Sequence, residues 1–284
     1  MPRANCPTPN DERAARVAPR PRLALGLVHL ALCIALSGCA AKRVALPTDP
    51  GAPFPEFATV HAELSRACSG VRTLTAELSL SGRAGDQKLR GRVHAGFERP
   101  ASMRLEGVAP FGPPAFILVT RGGESTLLLP RDERVVRGAK ADDILGALTG
   151  VALAPADLQA ILTGCVVPAP RPTAGRLHGN GWASIDLEGG ATLFAQRQGQ
   201  TWQLRAARRP PWQVEYTTTP GTALPTAVAL HADDPVRVDL NAAIGQVETN
   251  VDLDGAAFTV SVPADAQPLS LDGLRASGPL RDSQ

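Results

Sequence analysis

From residue 73 onward, apolar side chains recur at every second position, and that period decides what the chain can fold into. Leu74, Ala76, Leu78 and Leu80 alternate with Thr73, Thr75, Glu77, Ser79 and Ser81. Leu89, Val93, Ala95 and Phe97 then alternate with Lys88, Arg90, Arg92, His94 and Glu98, and Met103 and Leu105 with Ser102, Arg104 and Glu106. Further on, the same period runs through Trp202, Leu204 and Ala206, through Trp212, Val214 and Tyr216, and through Val228, Leu230, Val236, Val238 and Leu240; Phe258, Val260 and Val262 end it. Clean alternation means antiparallel strands with one face toward the core and one toward water. Gly189-Gly190, Gly199-Gln200, Pro210-Pro211 and Pro220-Gly221 punctuate the runs as turns. The pattern predicts about eleven or twelve strands in a single up-and-down order. A meander of that length has to curl or close, because an open sheet of so many strands leaves exposed edges.

Residues 115 to 119 and 127 to 129 are apolar on both faces, as strands covered on both sides would be. Helices are the expected cover. Phe57, Val60, Leu64 and Cys68 fall at helical spacing before Gly70, which predicts a helix over 57–69. Two shorter helices are expected midway, over 141–149 with Ile144, Leu145 and Leu148, and over 155–163 with Leu158, Ile161 and Leu162. The second opens on Pro155, carries Asp157 in its first turn and stops at Gly164. The fold class is therefore mainly β with a few helices: a strongly curved antiparallel sheet of about 11 strands forming an incomplete barrel, with an N-terminal helix and an inserted helix pair as lid.

The first forty residues carry a different signal. Arg20 and Arg22 precede a charge-free apolar run over 23–36, and Ser37-Gly38-Cys39 follows it. That is the layout of an export signal, and 14 apolar residues are too few for a bilayer span of roughly 20. Leu36-Ser37-Gly38-Cys39 resembles the lipobox of bacterial lipoproteins, in which the cysteine becomes the lipid-bearing first residue. Ala40 after it, by resemblance to Gram-negative sorting, favours the outer membrane. An ordinary secretory signal is the alternative. The expected organisation is a signal peptide over 1–38, a lipidated Cys39 with a Pro-rich tether to residue 56 (Pro47, Pro50, Pro53, Pro55), a folded domain over 57–263 and a flexible tail over 264–284.

Removing 1–38 takes five Arg and two acidic residues from totals of 29 and 27, which leaves the mature chain close to neutral. Nothing in that balance implies nucleic acid. Cys68 and Cys165 remain besides Cys39, and an even pair in an oxidising compartment invites a disulfide; two buried free thiols are the alternative. No G-x-S-x-G, H-E-x-x-H, Walker loop or G-x-G-x-x-G is present, so the reading is non-enzymatic, with no metal or cofactor expected. His61, His94, His178 and His231 stand alone in the sequence and read as solvated. Asp252-Leu-Asp254-Gly255 reads as a turn, because a calcium loop needs a downstream Glu. Trp202 and Trp212 fall in phase with inward residues and read as core or cavity lining.

With strands, helix pair and export signal in place, the segment from Ser102 to Gly164 resembles the LolA/LolB-like lipoprotein-carrier superfamily, its LolB-like outer-membrane lipoproteins in particular. Leu105-Glu-Gly-Val-Ala-Pro-Phe111-Gly112 is similar to the family's strand leading into a loop with an apolar tip. Ala115 to Thr120 and Thr126 to Leu129 are similar to the next two strands. Ile144 to Leu148, Gly150 to Pro155 and Leu158 to Gly164 look like its helix pair, and Val214-Glu-Tyr216 followed by Leu224-Pro225 is also similar. The resemblance implies an apolar cavity that holds acyl chains and a membrane-inserting loop residue, here Phe111. A buried loop anchor is the alternative for Phe111. The expected cavity lining is Leu105, Ile117, Leu118, Leu128, Leu148, Leu158, Ile161, Leu162, Trp202 and Trp212. Function is then binding of lipid or of lipoprotein acyl chains for transfer to the outer membrane, by a monomer anchored through Cys39 that receives cargo from a periplasmic carrier protein. The rival is a non-catalytic envelope assembly or sensing lipoprotein whose filled cavity leaves it to bind a protein partner.

Overall fold

The computed structural model of the protein describes residues 43–234 and 237–277. The expected signal peptide, lipobox and lipidated Cys39 lie outside the described residues.

Three of the expected helices form where the punctuation places them: α1 over Phe57–Ser69, α2 over Ala141–Thr149 and α3 over Pro155–Thr163. Gly150 and Gly164 end α2 and α3 in the left-handed region, at φ 78° and 83°, where glycine carries no Cβ penalty. Around them lies one large, curved, unclosed sheet. Its first meander comprises β2 (Thr73–Ala84), β3 (Gln87–Glu98), β4 (Ser102–Val108), β5 (Ile117–Arg121), β6 (Glu124–Leu129) and β7 (Arg134–Arg137). The second comprises β8 (Pro172–His178), β9 (Trp182–Leu187), β10 (Thr192–Gln198), β11 (Thr201–Arg209), β12 (Trp212–Thr217), β13 (Ala227–Ala232) and β14 (Val238–Thr249). Two short strands, β1 (Ala52–Pro53) and β15 (Gln267–Pro268), close the margins against β8 and β7, so the sheet holds 15 strands.

The strand order departs from a single meander. The last long strand, β14, returns to pair with the first, β2, in an antiparallel ladder that runs from Val238 opposite Ala84 to Thr249 opposite Leu74. Both strands thereby avoid becoming open edges. At Gly82, opposite Leu240, φ is +136° and a Cβ would stand 2.1 Å from the Asp239 carbonyl oxygen, so only glycine fits.

Alternation sorts the two faces as expected in β2 to β4. Leu74, Ala76, Leu78, Leu89, Val93, Phe97, Met103 and Leu105 are buried on the inner face in one core, together with Ile144, Leu145 and Leu148 of α2 and Leu162 of α3. A second cluster forms where α1 lies over β8 and β11, with Phe54, Val60, Ala183, Ile185 and Leu187 buried and Trp202 packed on them. On the outer face, after β14, Asp254 caps a 3-10 turn over Gly255–Phe258, its side chain accepting from the Ala256 N–H at 3.0 Å. Arg104 donates to the Ala257 and Thr259 carbonyls, Arg121 donates to that of Gly255, and Phe258 is buried.

Three expectations are corrected here. Phe258, Val260 and Val262 do not form a strand; the guanidinium contacts hold this stretch as an irregular crossing over β4 and β5. The tail expected over 264–284 is structured through residue 277: β15 pairs with β7, and α4 (Leu271–Ser277) packs on α2 with Leu274 fully buried. The tether expected to run to residue 56 is fastened to the sheet from Val44 onward.

Candidate functional site

The expected cavity lining divides over three places. Leu105, Leu118, Leu148 and Leu162 are buried in the inner core, where Leu158, Ile161 and Trp212 pack half-buried against it. Ile117 and Leu128 face one another across β5 and β6 in the register opposite to Leu118 and Leu127, so they point to the outer face. Trp202 belongs to the α1 cluster, its ring 5.6 Å from that of Phe54. Helices cover the inner face itself: Leu118, Leu127, Ile144 and Leu274 are each 0% exposed. At the margin of this covered region Leu80, Leu153, Leu158, Ile161, Leu204, Trp212 and Leu240 stay half-buried, forming an apolar border with α3 among them. α3 makes few close backbone approaches to the strands, whereas α2 packs against β6 and α4.

Two recesses lie away from these residues. An open groove of about 600 Å³ on the outer face is walled by Glu77, His94, Arg104, Glu106, Glu248 and Phe258. Arg104 pairs with Glu106, Glu77 lies 3.6 Å from both Arg92 and His94, and Glu248 accepts from the Thr75 hydroxyl at 3.5 Å. A smaller recess of about 230 Å³ sits between Arg99, Gln159 and Cys165. Beside it the structure joins Cys68 to Cys165, with Cα atoms 6.1 Å apart, linking the last turn of α1 to the residue after the α3 cap. Burial lowers the pKa of Arg99, which donates to the Cys68 and Ser69 carbonyls at that corner.

Phe111 is 88% exposed at the tip of the β4–β5 loop. The loop backbone is held from below, because the Arg131 guanidinium donates to the carbonyls of Phe111 and Pro113. The ring is thus presented to solvent, and its alternative as a buried loop anchor is set aside.

Sequence reading missed the histidines. His61 and His231 are buried, as is the His178 side chain, and among the described histidines only His94 is exposed. Desolvation lowers the His61 pKa, which keeps the ring neutral at neutral pH. His178 Nδ1 lies 2.6 Å from Asp49 Oδ1, and its Nε2 lies 2.9 Å from Ser184 Oγ. These are the distances of an Asp–His–Ser relay, yet Ser184 sits mid-strand in β9, paired on both sides, and lines neither cavity. The relay instead pins the N-terminal segment to the sheet. His231 stands between Glu215 (3.6 Å) and Asp239 (3.3 Å), and the Glu215 carboxylate accepts from the Val44 N–H at 3.0 Å. Arg176 donates to the Pro50 carbonyl, and Phe54 plugs the second core. Residues 44–54 therefore form a strap of polar fastenings ending in an apolar plug. Replacing Glu215 by Ala removes the acceptor for Val44 and should cost about 1 to 3 kcal/mol. Limited proteolysis should then cut between residues 44 and 50 while the domain beyond Phe54 stays intact; equal resistance of both proteins would show that the strap is held otherwise.

Among the described residues no group of three His, Cys, Asp or Glu side chains could hold a metal, and no helix is long and apolar enough to cross a membrane. Burial pushes the Tyr216 hydroxyl above its usual range, so it stays protonated in the core.

No family model matches the chain, and no curated protein matches it. Solved structures do resemble it. A LolA-superfamily protein from Nitrosomonas europaea is similar over 71% of this chain and 98% of its own, at 10% identity and TM-score 0.48. A putative outer membrane lipoprotein-sorting protein domain from Vibrio parahaemolyticus is similar over 70% and 94%, at 9% identity and TM-score 0.43. The lipoprotein LppX of Mycobacterium tuberculosis is similar over 70% and 99%, at 9% identity and TM-score 0.31. What this chain does rests on its own residues.

Proposed function

We propose that the mature protein is an envelope lipoprotein, anchored in the outer membrane through lipidated Cys39, that binds lipid or the acyl chains of lipoproteins without covalent chemistry. The observation that carries this reading is the set of half-buried apolar side chains Leu80, Leu158, Ile161, Leu204, Trp212 and Leu240 that pack against the inner core, Leu158 and Ile161 among them coming from α3. An acyl chain sliding beneath α3 would gain about 0.8 kcal/mol per buried methylene. Phe111, held outward by Arg131, is the residue that would enter the membrane or meet a periplasmic carrier at hand-over. It would act as a monomer.

The close packing of Ile144, Leu148 and Leu274 supports a second reading, in which the interior is permanently filled and the protein binds a protein partner in the envelope. Mass spectrometry on the soluble form beginning after Cys39 separates the two. The carrier reading expects co-purifying lipid at close to one per chain, lost in Leu158→Asp; a folded, lipid-free protein that also refuses added fatty acid supports the partner-binding reading. Phe111→Glu should abolish transfer to vesicles and leave the melting temperature unchanged, because a side chain so exposed contributes little to the core.

A further inference from the structure

We propose that the outer face of the β2–β3 hairpin, together with the Phe111 loop beside it, is a docking surface for an anionic lipid bilayer, and that the strap holds it there. The inference rests on the lipidated Cys39 of the preceding reading.

Chain length gives the first argument. Cys39 precedes Val44 by five residues, and Val44 is fastened to Glu215 on β12. Fully extended, five residues span at most about 17 Å. Were the strap loose back to Phe54, fifteen residues would reach about 50 Å and leave the domain free to tumble. Fastened as it is, the strap keeps β12 close to the bilayer in which Cys39 would sit.

Register gives the second. Glu215, Ala229, Asn241, Ser81 and Arg90 stand opposite one another in turn across β12, β13, β14, β2 and β3. Four strand spacings make about 19 Å, so the fastening point and the hairpin share one face at a distance comparable to the tether.

Charge gives the third. Arg83, Lys88, Arg90 and Arg92 alternate with the inward Ala84, Leu89 and Val93, and all four are exposed. The acids that face them are Asp86 in the turn, Asp239 opposite Arg83, the largely buried Glu77, 3.6 Å from Arg92, and Glu106 diagonal to Arg92 on β4, which is paired with Arg104. β3 itself carries no acid between Gln87 and Phe97, so its basic heads extend past these partners into solvent. Each such side chain near an anionic leaflet contributes about 1 kcal/mol and is screened by salt. Arg92 is opposite Val108, the last residue of β4, and the chain from there leads in three residues to Phe111. An apolar tip flanked by cations is the pattern of a peripheral membrane contact.

Hydrogen exchange on the lipidated mature protein tests this, using vesicles of phosphatidylcholine alone and vesicles containing phosphatidylglycerol. The anionic vesicles should slow exchange over residues 80–93 and 107–116 about tenfold, equivalent to about 1.4 kcal/mol. Raised salt, or the Lys88→Glu/Arg90→Glu/Arg92→Glu variant, should remove the effect with the melting temperature kept. Equal exchange on both vesicles, or slowing that appears only when an envelope protein fraction is added, would overturn it. The mass of the Cys39 peptide is read in the same digest. A lipidated Cys39 with an unprotected hairpin overturns this inference alone, whereas an unmodified Cys39 overturns the anchored reading and this inference with it.

Discussion

A Cys165→Ser variant should melt roughly 10 to 15 °C below the native protein, and reduction of the native protein should reproduce that drop. The bond closes a loop of 97 residues between the end of α1 and the end of α3. In the chain-entropy model, freeing such a loop in the unfolded state costs about 4 to 5 kcal/mol. For a domain of this length each kcal/mol moves the melting temperature by about 2 to 4 °C. Cys68 is 2% exposed, so the serine left opposite would also be poorly solvated, and Cys68→Ser/Cys165→Ser should be no worse than either single variant. The position of the bond matters as much as its energy. It fixes the C-terminal end of α3 to α1, while the N-terminal end continues from the Gly150–Ala154 loop, so any movement of α3 off the inner face pivots at Cys165. Without the bond, lipid uptake should become faster as stability falls. A reduced protein that melts with the oxidised one would show that the loop is already constrained by α1 packing.

Three helices and the strands from β2 to β6 were legible because local rules and tertiary packing agree there. Pro155 and Gly164 bracket α3, Gly150 ends α2, and the polar partners in β2 and β3 face solvent. β7 to β10 were harder to see. β8 opens on Pro172, which a strand tolerates at its first residue, and β7 has only the pair Val135-Val136 to mark it. Residues 115 to 119 are apolar on both faces where the chain at 255–259 crosses the outer side of β5, and nothing local announces a cover supplied from 134 residues away. Strand parity alone would have separated Ile117 and Leu128 from Leu118 and Leu127. The strap was illegible for the same reason. Asp49 and His178 are 129 residues apart and Val44 and Glu215 are 171 apart, so only the pairing of β1 with β8 and the return of the second meander bring them together. Pro47, Pro50 and Pro53 gave the segment the composition of a free tether, and composition does not show which backbone donors find a carboxylate.

Leu274→Asp should destabilise the protein by about 3 to 5 kcal/mol, although it lies in a stretch whose composition reads as a tail. Leu274 is 0% exposed, on the face of α4 that packs against α2. A carboxylate there has either to be buried unpaired or to pull α4 away, and detaching a seven-residue helix is the cheaper course. Detachment would uncover Ile144 and Leu148, which are 0% and 2% exposed with α4 in place, and would free β15 from the margin of β7. The expected signature is a melting temperature lower by roughly 10 °C, fast hydrogen exchange over residues 267–277 and 141–149, and increased binding of an apolar dye. Exchange over β2 and β3 should stay slow, because their ladder with β14 does not touch α4. The dye result bears on function as well. If lipid occupies the inner face only when a cover moves, then removing a cover on the α2 side, away from α3, should add dye sites without competing with bound lipid. Competition would instead place the acyl chain under α2 and α4, and an unchanged melting temperature would mean that α4 contributes nothing to the fold.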